Sequence, residues 1–279
     1  MLAEITIAGM TGAYAAALCA EWRRHRGFLA RIPIRIHVNG TRGKSTTTRL
    51  IAAGLRAGGI STIAKTTGAT PRMILPDGSE RPIIRPGDPM IREQIGVIEM
   101  ASRYGVQAVV LECMAVTPEN QWICEHKIIQ SQIGVITNVR LDHCDIMGGR
   151  LDQIASCLAN TIPRGGKLVT AETDYLGILE DRAESLGAVV HQASPEIVTE
   201  DDLAGFDYAP FRENVAIALK VCGLLSVDRN RALRGMQKAL PDPGALQACK
   251  CEFGEKRIVF VNALAANDIT STRQIWDVV

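Results

Sequence analysis

Two glycines, a lysine and a serine are spaced for phosphate binding in the segment "NGTRGKST". Gly40 and Gly43 allow backbone N–H groups to turn toward an anion. The ammonium of Lys44 can reach terminal phosphates from its place in the loop, and the Ser45 hydroxyl can bind an accompanying magnesium ion. This spacing predicts a nucleotide phosphate loop, and a tight turn without a ligand is the alternative.

The segments on either side of this loop favour the phosphate site. The β-branched run "IRIHV" precedes it, and Leu50, Ile51 and Leu55 follow it with helical spacing. A strand that leads into a helix N-terminus places the positive end of the helix dipole at the loop. The loop departs from the common G-x-x-x-x-G-K-[ST] pattern at one place, because Val38 stands where the first glycine belongs.

A carboxylate ends another predicted strand. "QAVVL" has the composition of a buried strand, and Glu112 follows it directly. Ligands of parallel sheets collect at the carboxyl ends of the strands, where an acid can hold magnesium or position a water molecule. Glu112 is therefore a candidate site residue, with a solvated loop acid as the alternative.

A third polar cluster follows the strand within "GVITNVRLDHCDIMG". Asn138, Asp142, His143 and Asp145 offer hard oxygen ligands and one imidazole, which suit a site for magnesium and phosphate. Zinc is less favoured, because Cys144 is the direct neighbour of His143 and would point elsewhere. A polar turn without a ligand is the alternative.

The elements that must position these residues predict an α/β fold. Short β-branched runs alternate with segments of helical spacing, which indicates a mostly parallel sheet with helices on both faces. Residues 66–89 are rich in Gly and Pro and are predicted to form a long ordered loop. The candidate strands are "IRIHV", "STIAK", "QAVVLE", "IGVITNV" and "GKLVTAE".

Charge and composition indicate which kinds of ligand the protein binds and in which environment it folds. The chain has 279 residues, of which 47% are hydrophobic, so it can bury a substantial core. Its net charge is +1. Residues 21–92 hold fourteen Lys or Arg against four Asp or Glu, so this stretch carries +10 and the remainder −9. An anionic ligand is favoured over a merely solvated surface, and no nucleic acid partner is expected, since no aromatic residues interleave with the basic ones. Eight cysteines without a C-x-x-C pair indicate reduced thiols in a cytosolic environment.

Three parts are predicted along the chain. Residues 1–30 form an apolar and basic helix, of which residues 1–20 are a possible membrane anchor or an ordinary packed helix. Residues 31–245 form an ATP-binding central domain. "PDPGAL" then breaks the pattern, and residues 246–279 are predicted to begin a second α/β domain that is incomplete, because one strand and one helix cannot bury their own apolar faces.

These motifs together resemble the ATP-dependent Mur ligase superfamily. Its phosphate loop reads G-T-N-G-K-[ST] and also lacks the leading glycine, and a later strand reads T-N-x-x-x-D-H, as in "TNVRLDHCDIMG" here. The resemblance implies that ATP phosphorylates a carboxylate. An amine then attacks the acyl phosphate to form an amide, and ADP and phosphate are released.

A closer resemblance is to the catalytic subunits of poly-γ-glutamate synthases of the CapB and PgsB type. It is carried by "KTTGATPR", "LECMAVTPE", "PDPGAL" and "VNALAANDITST" and runs from about residue 31 to the end. It implies ATP and Mg²⁺ as cofactors, glutamate and a growing poly-γ-glutamate chain as substrates, and small membrane subunits as partners. It also implies action at the cytoplasmic face of the cell membrane and allows a homo-oligomer. A folylpolyglutamate synthetase-like ligase is the alternative, although the lysine that the superfamily carbamylates is missing from "LDQIASCLANTIP". A nucleotide-binding assembly subunit without ligase activity is the other alternative.

Site roles are carried over by position from the superfamily. The catalytic set implied is Lys44, Glu112, His143 and Arg42, and the metal set is Ser45, Glu112 and His143. The implied nucleotide contacts are Asn39, Gly40, Thr41, Arg42, Gly43, Lys44, Ser45, Thr46, Asn138, Asn214 and Asp268. Asn214 matches only the last asparagine of the superfamily's H-N-x-x-N stretch, because Pro210 and Phe211 replace the first two positions.

Overall fold

The computed structural model describes residues 1–68, 70–85, 87–242, 247–254 and 256–262, together with 272, 273 and 276. The strands of its main sheet are β1 (Ile34–Asn39), β2 (Thr62–Lys65), β3 (Arg72–Ile74), β4 (Glu80–Pro82), β5 (Ala108–Glu112), β6 (Ile133–Ile136), β7 (Lys167–Thr170) and β8 (Val189–Gln192). Their order is β4-β3-β2-β5-β1-β6-β7-β8. From β2 to β8 the neighbouring strands run parallel, and β3 and β4 add an antiparallel edge. The predicted α/β class is confirmed.

Helices cover both faces of this sheet. They are α1 (Leu2–Ala30), α2 (Lys44–Ala57), α3 (Glu93–Tyr104), α4 (Pro118–Ile123), α5 (Cys144–Met147), α6 (Leu151–Leu158), α7 (Leu176–Ser185), α8 (Glu200–Ala204), α9 (Arg212–Leu224) and α10 (Arg229–Gln237). One core joins α2, α9 and α10 to one face of the sheet. A second core joins α3 and the end of α1 to the other face, and a third joins α6 and α7 to it. The sheet is therefore buried on both sides, as its continuous apolar strands require.

Five of the strands lie where the sequence predicts them, and one prediction fails. The long loop predicted for residues 66–89 is wrong, because β3 and β4 form a hairpin there around a turn at Gly78 (φ +87°). Strands of three residues are too short to show a period of two, so only the Asp77-Gly78 turn marked them. The strand β8 also went unpredicted.

Buried polar side chains form hydrogen bonds on the face of β1 that carries His37. His37 Nδ1 lies 2.9 Å from Glu125 Oε2, and Glu125 Oε1 also accepts hydrogen bonds from the backbone and hydroxyl of Ser131. Glu125 reaches this place because α4 continues as a π-helix over Cys124–Ile129. The strand that leads into the glycine loop is thus held by specific contacts as well as by apolar packing.

The helix α1 is exposed along most of its length and anchored at its end. Ile5, Ile7 and Met10 are 63%, 65% and 69% exposed, whereas Leu29 is buried. His25 Nε2 lies 2.7 Å from the carbonyl oxygen of Ile128 at the π-helix. In the described residues, no helix has the length and apolar character needed to cross a membrane.

Two further strands follow the main sheet in sequence. They are β9 (Gln247–Phe253) and β10 (Lys256–Asn262), which pair antiparallel. The predicted strand in "RIVFVNALAAND" corresponds to β10, and β9 was not predicted. Residues 243–246 of the predicted junction and Asp268 lie outside the described residues.

Candidate nucleotide and metal site

The glycine loop lies at the carboxyl end of β1, pressed against the end of β6. A Cβ atom on Gly40 would lie 2.0 Å from Thr137 Oγ1 and 2.8 Å from the Thr137 backbone nitrogen, and φ of Gly40 is +131°. Only glycine fits such an approach. Gly43 is the N-cap of α2 with φ +79°, so the helix begins directly behind the loop.

Asn138 shapes the loop from the end of β6. Its Oδ1 accepts hydrogen bonds from Thr41 Oγ1 (2.7 Å) and from the Arg42 backbone nitrogen (3.1 Å). Its Nδ2 donates to the Arg42 carbonyl oxygen (3.1 Å), which also accepts from Thr137 Oγ1 (2.6 Å). Both backbone polar groups of Arg42 are thereby satisfied within the protein. Asn138 thus lies beside the glycine loop and orients it, and its nucleotide contact stays a prediction.

The Lys44 ammonium is folded over the loop. Its Nζ donates to the carbonyl oxygens of Gly40 (2.8 Å) and Thr41 (3.1 Å). The side chain starts from the first residue of α2, so the charge and the helix N-terminus lie together. Both favour an anion at this point.

Ser45 and Glu112 meet as the sequence predicts. Ser45 Oγ donates to Glu112 Oε2 (2.9 Å), and the backbone nitrogen of Thr67 donates to the same oxygen (2.7 Å). Glu112 is only 2% exposed. Burial raises the pKa of Glu112, while Lys44, Thr67 and Ser45 oppose that shift. The site thus contains a buried carboxylate that a cation would stabilise.

This pair fits a magnesium ion that also binds phosphate oxygens. Mg²⁺ prefers oxygen ligands and is commonly held by one or two carboxylates, substrate phosphates and water molecules. Within the described ranges, no group of three or more His, Cys, Asp or Glu residues is arranged to hold a metal alone. The described residues that would hold such an ion beside a nucleotide are Ser45 and Glu112, and the ion would supply charge neutralisation at the phosphates.

His143 is joined to the site through the loop arginine. Arg42 Nη1 lies 3.3 Å from Asp142 Oδ2, and His143 Nε2 lies 3.9 Å from Asp142 Oδ1. The His143 side chain is 54% exposed and its φ is +44°. The structure brings Lys44, Ser45 and Glu112 together, and the role of His143 as a metal ligand stays a prediction.

The remaining loop residues differ in what their side chains touch. Asn39 is buried, and its Nδ2 donates to Gln121 Oε1 (3.0 Å) and Thr161 Oγ1 (3.2 Å), so the Asn39 side chain supports the loop from beneath. Thr46 is half-buried in the first turn of α2. The nucleotide contacts assigned to both residues stay predictions.

Asn214 reaches the loop from α9. A Cβ atom on Gly43 would lie 2.6 Å from Asn214 Oδ1 and 2.8 Å from Nδ2. Asn214 therefore lies against the glycine loop, and its contact with adenine stays a prediction.

The segment after β2 also belongs to the site, although its chemistry was missed. Thr67 donates to Glu112, and a Cβ atom on Gly68 would lie 3.4 Å from Ser45 Oγ. The signal was a Thr-Gly pair directly after a predicted parallel strand, where ligands collect.

Replacing Gly43 by alanine tests the closeness of this packing. The left-handed backbone costs a non-glycine residue about 1–2 kcal/mol, and the new methyl group would also meet Asn214. We expect a lower thermal midpoint than for Gly165→Ala, a matched control at φ +62° with open space around its Cβ position. Equal losses in the two variants would contradict the predicted contact. The double variant Gly43→Ala/Asn214→Ala should recover part of the difference.

Comparisons with known proteins identify the family of this chain. The family model described as Mur ligase middle domain matches residues 38–215. The capsule biosynthesis protein CapB of Bacillus anthracis is 42% identical over 259 residues, which cover 92% of this chain and 56% of that protein. The PGA synthase CapB of Bacillus subtilis (strain 168) is 41% identical over 258 residues, which cover 92% of this chain and 66% of that protein. The chain thus spans less than two thirds of either relative.

A solved structure supports the same fold. The bifunctional folylpolyglutamate synthase/dihydrofolate synthase of Yersinia pestis, complexed with AMPPNP and a Mn ion, aligns with a TM-score of 0.63 at 20% identity. The alignment covers 84% of this chain and 68% of that one. At this identity the likeness concerns the fold.

Proposed function

Since the chain belongs to the Mur ligase middle-domain family, we propose that it is the ATP-binding part of an amide ligase that forms poly-γ-glutamate. The observation that carries the proposal is the meeting of the Ser45 hydroxyl with the buried Glu112 carboxylate beside the Lys44 loop. The name of the relative that is 41% identical, a PGA synthase, supports poly-γ-glutamate as the product, and the name of the relative that is 42% identical supports a role in capsule biosynthesis.

The proposed reaction has two steps, phosphoryl transfer and amide formation. A carboxylate oxygen of the growing chain attacks the γ-phosphorus of ATP, which forms an acyl phosphate and releases ADP. The amine of the incoming glutamate, after loss of a proton, attacks the carbonyl carbon, and inorganic phosphate leaves as the amide forms. The first step brings anions together, so it depends on positive charge fixed beforehand at the site.

Four of the described site residues have a role in this proposal. Lys44 and the N-terminus of α2 bind the terminal phosphates, and Asn138 keeps the loop in shape. Ser45 and Glu112 hold the divalent ion, which we take to be Mg²⁺. The Mn ion and AMPPNP in the Yersinia pestis structure support a metal-nucleotide pair at this fold.

Glutamate-dependent ADP release tests the proposal. We expect the purified chain to release ADP from ATP and Mg²⁺ faster when glutamate is added, with poly-γ-glutamate as primer. Stimulation that requires tetrahydrofolate would instead identify a folylpolyglutamate synthetase-like ligase. Binding of ATP without stimulation by either substrate, in this chain and in a longer form of it, would favour an assembly subunit and contradict ligase activity. Stimulation of the longer form alone would assign the ligase activity to the two parts together.

The exposed apolar side chains of α1 support a place at the cytoplasmic face of the membrane, next to small membrane partners. A homo-oligomer is part of the same proposal. Repeating the glutamate assay with phospholipid vesicles, and sedimenting the vesicles, tests the location. A chain that stays in the supernatant with unchanged ADP release would contradict it, and light scattering of the same sample gives the subunit number.

A further inference from the structure

We propose that Lys65 is a positioning residue for Glu112, acting through the amide of Gln94. This inference rests on the proposed function, because it concerns the carboxylate that holds the divalent ion. Lys65 ends β2 and pairs in register with Leu111, the residue before Glu112. It was absent from the predicted site.

Lys65 is a charged side chain at a place where charge is costly. It is 0% exposed, and its Nζ lies 3.3 Å from Gln94 Oε1, 3.4 Å from Met114 Sδ and 3.5 Å from Glu93 Oε1. Burial lowers the pKa of Lys65, and the nearby Glu93 carboxylate opposes that shift. Buried ion pairs can often be replaced by apolar side chains of similar volume without loss of stability. The need for an ammonium here is explained by what it orients.

Gln94 connects Lys65 to Glu112. The Gln94 side chain is fully buried; its Oε1 accepts from Lys65, and its Nε2 donates to the Glu112 carbonyl oxygen (3.0 Å). An ammonium group can only donate hydrogen bonds, so it fixes which end of the amide faces it. The NH₂ end is thereby turned toward Glu112. Loss of Lys65 removes the group that selects this orientation.

The same strand end also holds the Glu112 side chain. Thr67, two residues after Lys65, donates its backbone N–H to Glu112 Oε2 (2.7 Å), the oxygen that accepts from Ser45. The end of β2 therefore holds Glu112 at two points. Lys65 acts on its backbone carbonyl through Gln94, and Thr67 binds its carboxylate directly. A metal ligand held at two points is preorganised for the ion, and outer contacts of this kind typically change metal affinity 10- to 100-fold.

Glu93 completes the cluster on its outer side. Arg85 Nε donates to Glu93 Oε1 (3.0 Å) and Oε2 (2.9 Å), so one carboxylate pairs with two cations. This fixes Glu93 in front of Lys65. A purely structural role, in which the ion pair only ties α3 to the sheet, is the rival explanation.

AMPPNP binding with and without Mg²⁺, measured by titration calorimetry on the full chain, separates the two explanations. For Lys65→Met we expect native affinity for AMPPNP alone and about tenfold or greater loss of the Mg²⁺-dependent gain in affinity. Gln94→Met cuts the same connection and should lose the same gain; it also serves if Lys65→Met does not fold. The matched control is Lys238→Met, at an exposed lysine of the α10 C-cap, and should behave as the native chain.

Three results are decisive. A native chain whose AMPPNP binding is insensitive to Mg²⁺ would contradict the proposed function. A native chain with a Mg²⁺ effect that both variants retain in full would overturn the positioning role. A lower thermal midpoint with an intact Mg²⁺ effect would assign Lys65 to the structural role alone.

Discussion

Lys44→Ala is expected to abolish glutamate-dependent ADP release, with a loss on the order of 10³-fold or more in kcat/KM for ATP. The Lys44 ammonium is the cation fixed over the phosphate loop, within 2.8–3.1 Å of its carbonyl oxygens. Charge that is fixed before the reaction stabilises the phosphoryl transfer without reorganisation. Alanine also has high helix propensity, so the start of α2 should be preserved.

Lys167→Ala is the matched control for this variant. Lys167 is an exposed lysine at the amino end of β7, whereas the loop lies at the carboxyl end of the parallel strand β1. We expect native ADP release from it. Full turnover by Lys44→Ala, with an unchanged circular dichroism spectrum, would contradict the nucleotide assignment of the loop.

Glu112→Gln is expected to change activity and stability in opposite directions. Glutamine keeps the size of the side chain and an oxygen that can accept from Ser45 and Thr67, but it removes the charge that holds a divalent ion. We expect at least about 100-fold loss of Mg²⁺-dependent ADP release. Higher Mg²⁺ concentrations should recover little of it, because the ligand itself is changed.

The stability gain follows from the raised pKa of Glu112. Burial, the main cause, keeps the folded chain protonated at pH values where the unfolded chain has lost the proton. The free energy of unfolding therefore falls as pH rises from the ordinary value of 4.5 to the raised one. Above the raised pKa the native chain has this cost in full, and the glutamine variant has none at any pH.

Thermal unfolding in a chelator, without nucleotide, measures that difference. We expect a higher midpoint for Glu112→Gln than for the native chain at pH 7, and equal midpoints near pH 4. A lower midpoint of the variant at pH 7 would show that the carboxylate stabilises the fold, against the proposal that it is kept for the ion.

The parts of the site that depend on local order were predictable from sequence. Gly40, Gly43, Lys44 and Ser45 follow one another between a strand and a helix, so their spacing alone indicates the loop. Glu112 was found because the end of a buried strand is a defined place in a parallel sheet.

The parts that depend on pairing between distant segments were not predictable. Lys65 reads as one more residue of a strand, and Gln94 as one more polar residue of a helix. Their connection to Glu112 exists only once β2 is placed beside β5 in a given register. The hairpin of β3 and β4 escaped for a related reason, because three-residue strands carry too little pattern to be recognised without their partners.

The central position of β1 determines which parts of the sheet open most easily. β1 lies between β5 and β6 in the middle of the sheet. The glycine loop, Glu112 and Asn138 therefore all lie at the ends of these three central strands. Amide protons in such strands exchange only in the largest openings, whereas the outer strands β4 and β8 can fray at little cost. The outer strands can therefore open transiently while the glycine loop, Glu112 and Asn138 keep their places.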